Sequence, residues 1–304
     1  MTVACSTSRL PVVERAHVAA AQAAEHAGIR LVRLDSSDAF VAASALLARV
    51  WGTPLAESPL PSDLLASFAH SGACLLGARV ERTPSVDDTR GAGGIGIADG
   101  DLVGVAVGIG GPPHSAEVYS LIAASVADVA GRGVGAALKY GQRAWGLDRG
   151  AERMVWTFDP LVRRNAHFNI GKLGARATEY RMDFYPPMHD AINREDLTDR
   201  LVAEWDLTRP SAAESPDLAA GPGIDGAVEI LGIDPEQRPL VRELRDGAVL
   251  RVSVPADIER LRLTDPTSAR AWRLALREVL APRLAAGYRI TGFSADGAYL
   301  LMGA

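Results

Sequence analysis

The sequence predicts a mixed fold of the α/β (α+β) class. Short apolar runs of strand length alternate with longer segments rich in Ala and Leu at helical spacing. Glycines fall at the ends of these segments, where they stop one element and start the next. Hydrophobic residues make up 48% of the 304 and charged residues 23%. That supplies apolar surface for a sizeable core and is too apolar for a chain disordered throughout.

Residues 11–27 read as an Ala-rich helix, opened by Pro11 in a favoured first-turn position and closed by Gly28. A short strand follows over 29–34. Asp35, Ser36 and Ser37 offer N-caps for a helix running to Val50, ended by Trp51-Gly52. A further helix spans 62–69 and a strand 74–80. The polar, Gly- and Asp-rich stretch 81–100 reads as a loop. Strands at 101–109 and 118–126 flank a turn at 110–113. A helix over 131–150, a strand at 154–158, a helix over 165–173 ended by Gly174, and strands at 177–185 and 201–207 come next. The Pro-, Ala-, Ser- and Gly-rich segment 208–223 is a linker candidate. Beyond it lie a strand near 249–254, a long helix over 267–286, and strands at 288–293 and 298–302.

The formal net charge is −5, which argues against a broad basic nucleic-acid footprint. No window reaches the roughly 18 apolar residues of a membrane helix. Cys5 and Cys74 make neither a disulfide framework nor a metal spacing, and residues 1–26 lack a secretory h-region. A cytoplasmic protein with no metal, no membrane and no nucleic-acid partner is expected. Of the 32 Lys and Arg residues, all but Lys139 and Lys172 are arginine, so these two lysines attract interest as sites of a specific contact.

The segment that carries chemistry is SVADVAGRGVGAAL, residues 125–138. A strand runs into a glycine turn and a helix begins at once. Such a turn leaves backbone N–H groups pointing outward at the positive end of a helix dipole, where a pyrophosphate fits. Arg132 offers a charge-assisted contact beside it.

This segment resembles the signature of the GNAT acyltransferase superfamily, a strand followed by V-x-P-x-x-(R/Q)-G-x-G-x-(G/A) and a helix. Residues 130–135 cover the glycine turn, while Ser125, Ala127 and Ala130 stand where Val, Pro and Arg or Gln are usual. The segment RNAHFNIGKLGA, 164–175, is similar to the family's fourth helix, N-x-x-A-x-x-x-Y-x-K-x-G-F. Ala166, Lys172 and Gly174 are in register, and Arg163, Ile170 and Ala175 depart from it. FDPL, RNAHFN, DFY and DRLVAEW resemble a less-studied bacterial group of the same superfamily, as do Trp272-Arg273 and GYRITGF near the C-terminus.

The resemblance implies a GNAT-type mixed twisted sheet flanked by helices, with a C-terminal extension of strand-helix-strand-strand. It implies an N-terminal helix over 1–28, an acyltransferase domain over 29–207, the linker 208–223, and an extension over 224–304 packing on that domain. The implied activity is transfer of an acetyl or larger acyl group, succinyl included, from acyl-CoA to a small-molecule amine such as an amino acid, with a homodimer open. The alternatives are a GNAT-fold enzyme of other acyl chemistry (O-acyl transfer, carrier loading, decarboxylation) and a non-catalytic CoA-binding module. Backbone groups of Ser125 and Val126 would meet the thioester and pantetheine. Gly131, Arg132, Gly133, Val134 and Gly135 would hold the pyrophosphate, with Asn165, Asn169 and Lys172 as further CoA contacts; Lys139, in the same half, would place a second ammonium near phosphates. Asp159 is a candidate for acceptor binding or general base, since it follows a strand end, and a turn carboxylate is the simpler role. His167 belongs to the residue type whose charge changes nearest neutral pH, and a solvated helix residue is its alternative. Tyr185 is the candidate acid in place of the Tyr missing at Ile170, against a plain core aromatic.

Other signals carry less. Gly91-Ala92-Gly93-Gly94-Ile95-Gly96 matches G-x-G-x-x-G but follows a polar loop, so no dinucleotide site is expected. His114 and His189 share no ligand spacing. Asp199-Arg200 reads as a surface or inter-loop ion pair, and the 272–280 apolar stripe as core. The C-terminal part repeats a theme of 171–185, a helix followed by Gly and strands, and so reads as a degenerate second half.

Overall fold

The computed structural model describes residues 10–81, 97–112, 114–210, 226–243 and 249–303. Cys5, the G-x-G-x-x-G match and most of the 208–223 linker lie outside them. The chain divides into two compact units, 1–154 and 155–304. The division falls inside the segment 29–207 that the sequence reads as one domain.

The first unit is built in the order α1 (Leu10–His26), β1 (Ile29–Arg33), α2 (Ser37–Trp51), α3 (Ser62–His70), β2 (Cys74–Val80), β3 (Leu102–Gly110), β4 (Glu117–Ser125) and α4 (Val134–Asp148). The expected caps form. The Ser36 side chain accepts from the Ala39 N–H at 3.3 Å, and Gly52 takes a left-handed conformation that closes α2. The strands lie in the order β1-β2-β3-β4, each antiparallel to the next. On β3, alternate residues differ sharply in size. Val103, Val105 and Val107 are buried on one face. Gly104 and Gly108 lie under α4, where an added Cβ would stand 3.0 Å from Leu138 and 3.2 Å from Gln142. The period-2 pleat thus gives one bulky face and one small-residue face, and α4 seats closely on the second. α1 packs along α4, and its alanines Ala16, Ala19, Ala20 and Ala24 are all buried.

The second unit opens on β5 (Arg153–Phe158), whose first two residues precede the division. It continues with α5 (Arg163–Ala166), passing into a π-helical turn over His167–Lys172, then β6 (Arg176–Arg181) and β7 (Arg200–Asp206). The C-terminal part adds β8 (Val228–Ile233), β9 (Pro239–Val241), β10 (Leu250–Ser253), α6 (Ile258–Thr264), α7 (Pro266–Ala285), β11 (Arg289–Phe293) and β12 (Ala298–Met302). Its sheet has the order β11-β12-β10-β8-β9, with β8 and β10 parallel. Two strands and a helix go beyond the sequence expectation. α6 forms because Asp257 accepts from the Arg260 N–H at 2.9 Å, and Asp265 then caps α7 on Ser268 at 2.9 Å with Pro266 in the first turn. The predicted strand 177–185 ends instead at Arg181. Asp183 takes φ +45° and two prolines follow Tyr185, so the ladder cannot continue.

Within this unit the β5–α5–β6–β7 and β10–α6/α7–β11–β12 segments share one topology. Each is strand, helix, strand, strand, with spatial order first-third-second. Both hairpins carry a register shift, at Ala177/Glu179 and at Ile290/Gly292. Both are entered through a left-handed glycine, Gly174 and Gly287, that begins the pattern G-x-R-x-T. The repeated theme read in the sequence is therefore matched by strand order. The two segments pack on one another, α7 and β11 against β6.

Candidate functional site

In the first unit the segment 125–135 is shaped by its glycines. After β4, a 3-10 turn over Ala127–Val129 leads into Gly131 (φ +78°) and Gly133 (φ +91°), both left-handed, and Gly133 is the N-cap of α4. Ala130 and Arg132 donate their N–H groups to Ala127 O (2.9 Å) and Val129 O (3.2 Å). The first-turn N–H groups, those of Val134 and Gly135 among them, have no acceptor within the helix. No side chain caps this end and its first turn holds no acidic residue, so the positive end of the dipole is left uncompensated. A Cβ added at Gly131 or Gly135 would meet nothing within 4 Å, so open space stands in front of the turn. The side chain of Arg132 is exposed. These features fit a phosphate-bearing group.

Ser125 and Val126 differ. The Val126 N–H donates to Val103 O at 2.9 Å and is consumed by the sheet. Adjacent residues of an antiparallel strand turn their backbone groups to opposite sides. The N–H and C=O of Ser125 therefore point away from β3. Of the two expected backbone contacts, the Val126 N–H is already taken by the sheet.

Lys139 corrects the expectation of an ammonium near phosphates. It is buried under the sheet at 4% exposure, and its Nζ donates to Ser120 Oγ at 2.7 Å, which donates on to Gln142 Oε1 at 2.8 Å. Burial lowers its pKa to about 7, against a smaller opposing pull from Cys74. The Cys74 thiol is pushed up to about 12 by the same burial and is inert as a nucleophile. Because the folded state holds the Lys139 proton less tightly than the unfolded chain, Lys139 weakens the fold below about 7. The penalty is relieved as pH rises toward roughly 10.4. Lys139→Met is expected to raise stability by roughly 3 kcal/mol at pH 6, with the gain shrinking by pH 9.5. Chemical denaturation across that range checks it, and a gain independent of pH would contradict the assignment.

In the second unit, Asp159 lies 7% exposed among arginines of the C-terminal helices. Its Oδ2 accepts from Arg262 Nη2 at 2.5 Å and Arg273 Nη2 at 2.8 Å, and its Oδ1 accepts from the Leu161 N–H at 2.9 Å. Asp196 Oδ2 accepts from the same two guanidiniums at 2.9 and 3.0 Å. Burial alone would raise the Asp159 pKa, but Arg273 and Arg262 outweigh it and hold the carboxyl well below the usual carboxylate range. A carboxylate so held is a poor proton acceptor, and its geometry is that of a packing anchor rather than a general base. Sequence reasoning missed Arg262 and Asp196, and read Trp272-Arg273 only as a resemblance. Asp199 and Arg200 correct another expectation. Both are buried, with Asp199 paired to Arg277 and to Tyr180 Oη (2.6 Å), while Arg200 donates to Asn193 Oδ1 at 3.1 Å.

The remaining candidates are spread along this unit. Tyr185 Oη lies 3.1 Å from Thr157 Oγ1 near the end of β5, and the Arg200 guanidinium sits 5.2 Å from its ring centre. Asn169 is buried and accepts from Trp156 Nε1 at 3.2 Å, a structural use of its amide. His167 and Lys172 are exposed at the two ends of the π-helical turn, and Asn165 is half-buried. Arg163 and Arg164 are also engaged, with Val254 O (2.7 Å) and Glu259 respectively.

No protein-family model matches the chain, and no curated protein matches it. Solved structures similar to it include the IAA acetyltransferase from Bacillus cereus ATCC 14579, 13% identical, over 59% of this chain and 99% of that one, TM-score 0.39. The ribosomal-protein-S18-alanine N-acetyltransferase from Escherichia coli is 14% identical, over 60% and 96%, TM-score 0.42. A GNAT family acetyltransferase from Elizabethkingia anophelis with acetyl-CoA bound is 14% identical, over 59% and 98%, TM-score 0.38.

Proposed function

We propose that the chain is an acyl-CoA-dependent N-acyltransferase of the GNAT type, moving an acetyl or larger acyl group, succinyl included, to the amine of a small molecule such as an amino acid. The observation that carries this reading is the glycine turn before α4, with open space before Gly131 and Gly135 and no acidic or capping side chain at the helix start. When bound, acyl-CoA supplies the thioester on which an amine acts. The amides at 133–135 hold phosphate oxygens and Arg132 adds positive charge. The outward N–H and C=O of Ser125 align an extended amide chain. Tyr185 Oη, positioned by Thr157, is the proton donor. His167, exposed and free of the arginine cluster, is the better of the two proton acceptors named from sequence. Ile170 at the usual Tyr position supports a second reading, a CoA-binding fold with other acyl chemistry or none.

A panel of acyl-CoA thioesters, read by free-thiol release with and without pooled amines, tests this. Amine-dependent release is expected. Release without amine would move the reading to hydrolysis or decarboxylation, and tight CoA binding with no release would leave a binding module. Tyr185→Phe is expected to lower kcat about 100-fold while KM for the acyl donor stays within about twofold. Full activity in that variant would remove Tyr185 from the mechanism.

A further inference from the structure

We propose that a cleft between α1 and α4 is a second ligand site, one that takes a small organic cation with an apolar body. The cleft has a volume of about 800 Å³, inside the roughly 300–1,000 Å³ range of small-molecule sites. It exists because the two helices face each other through short side chains. Ala20 and Ala24 of α1 stand opposite Ala144 and Gly141 of α4, and Leu31 and Leu76 form an apolar floor. Gly141 has a second effect: an added Cβ would stand 2.8 Å from Leu76 and 3.0 Å from Leu31. Only glycine lets α4 sit this low on the sheet beside the hollow. Trp145 supplies an aromatic wall.

The rim decides the sign of the ligand. Glu25, Glu81 and Asp148 bring three carboxylates, against Arg30 and His17. His17 Nε2 is 3.0 Å from Asp148 Oδ1, so that carboxylate is partly answered. Glu25 and Glu81 form no ion pair among the described residues. One face of the Trp145 indole is taken by the Arg149 guanidinium, 4.6 Å from the ring centre, so the acidic rim above an apolar floor is what favours a cation whose body leaves water while its charge stays at the mouth.

This site is separate from the glycine turn. Its α4 residues begin at Gly141, about 10 Å along the helix axis from Val134. Its rim is acidic, whereas the turn presents backbone donors and an exposed arginine, so a polyphosphate and this cation would not compete. The proposal does not depend on acyl transfer.

Benzyltrimethylammonium is the probe, since a quaternary nitrogen cannot be acylated. Calorimetric titration into the full chain is expected to give saturable one-site binding, about tenfold tighter than for benzyl alcohol or benzoate. Glu25→Gln with Glu81→Gln is expected to weaken it about fivefold, and Ala21→Trp, at an exposed position lining the cleft, to abolish it. CoA affinity should stay unchanged in these variants. No saturable binding, equal binding of the three probes, or binding indifferent to both sets of substitutions would overturn the assignment.

Discussion

Gly135→Glu is expected to separate folding from binding. Gly135 lies in the first turn of α4 and its φ is not in the left-handed region. A glutamate there meets nothing within 4 Å at its Cβ. It gains helix propensity over glycine, about 0.5–1 kcal/mol, and interacts favourably with the helix dipole. Stability should therefore be unchanged or slightly higher. The same carboxylate would project into the space where phosphate oxygens are to sit, where a like charge is strongly unfavourable. CoA affinity is expected to drop about 100-fold or more, close to 3 kcal/mol. Thermal melts paired with CoA titration check both halves. Retained CoA affinity with retained fold would dislodge the pyrophosphate from this turn.

The second large effect is expected at Arg273→Leu. Its side chain is fully buried and bridges Asp159 and Asp196. Removing it leaves two buried carboxylates sharing Arg262, and truncating one partner of a buried ion cluster costs about 3–5 kcal/mol. That is a large fraction of the stability of an ordinary domain. The loss should be read by denaturant unfolding at neutral pH, with a local monitor in unit 155–304. The sign with pH follows from Asp159. Its folded pKa is depressed, chiefly by Arg273 and Arg262 acting against burial, so its contribution is complete above the unfolded carboxylate value near 3.9 and drains away as pH falls below it. Arg273→Leu should therefore flatten the acid limb of the stability profile. A variant within about 0.5 kcal/mol of wild type would show that the cluster contributes nothing.

The contrast between these two sites shows how much was legible beforehand. The turn at 131–135 is local. Its glycines, the strand before it and the helix after it are contiguous, and backbone conformation alone aims the N–H groups. Helices α1 to α4 and strands β1 to β5 were legible for the same reason, since caps and periodicity act over a few residues. Asp159 was not. Its neighbour Pro160 suggested a turn, and nothing within ten residues announces that Arg262 and Arg273, more than a hundred positions away, will hold it. The same holds for Lys139. Its place one turn into α4 suggested phosphate, and only the packing of α4 onto Gly108 and Ser120 shows that its face is the buried one.

The sequence by itself determined the class of fold, the order of the elements, the glycine turn and the repeated theme of a helix followed by Gly and strands, because each depends on covalent neighbours and on local backbone freedom. Only the tertiary structure decided which way each polar side chain is turned. It removed the Val126 N–H, consumed by β3, and it placed Asp159 and Lys139 in buried contacts. It also opened an alanine-lined cleft between two helices that no motif marks. Burial and charge pairing are properties of surfaces brought together from distant parts of the chain, and those surfaces exist only once the chain has folded.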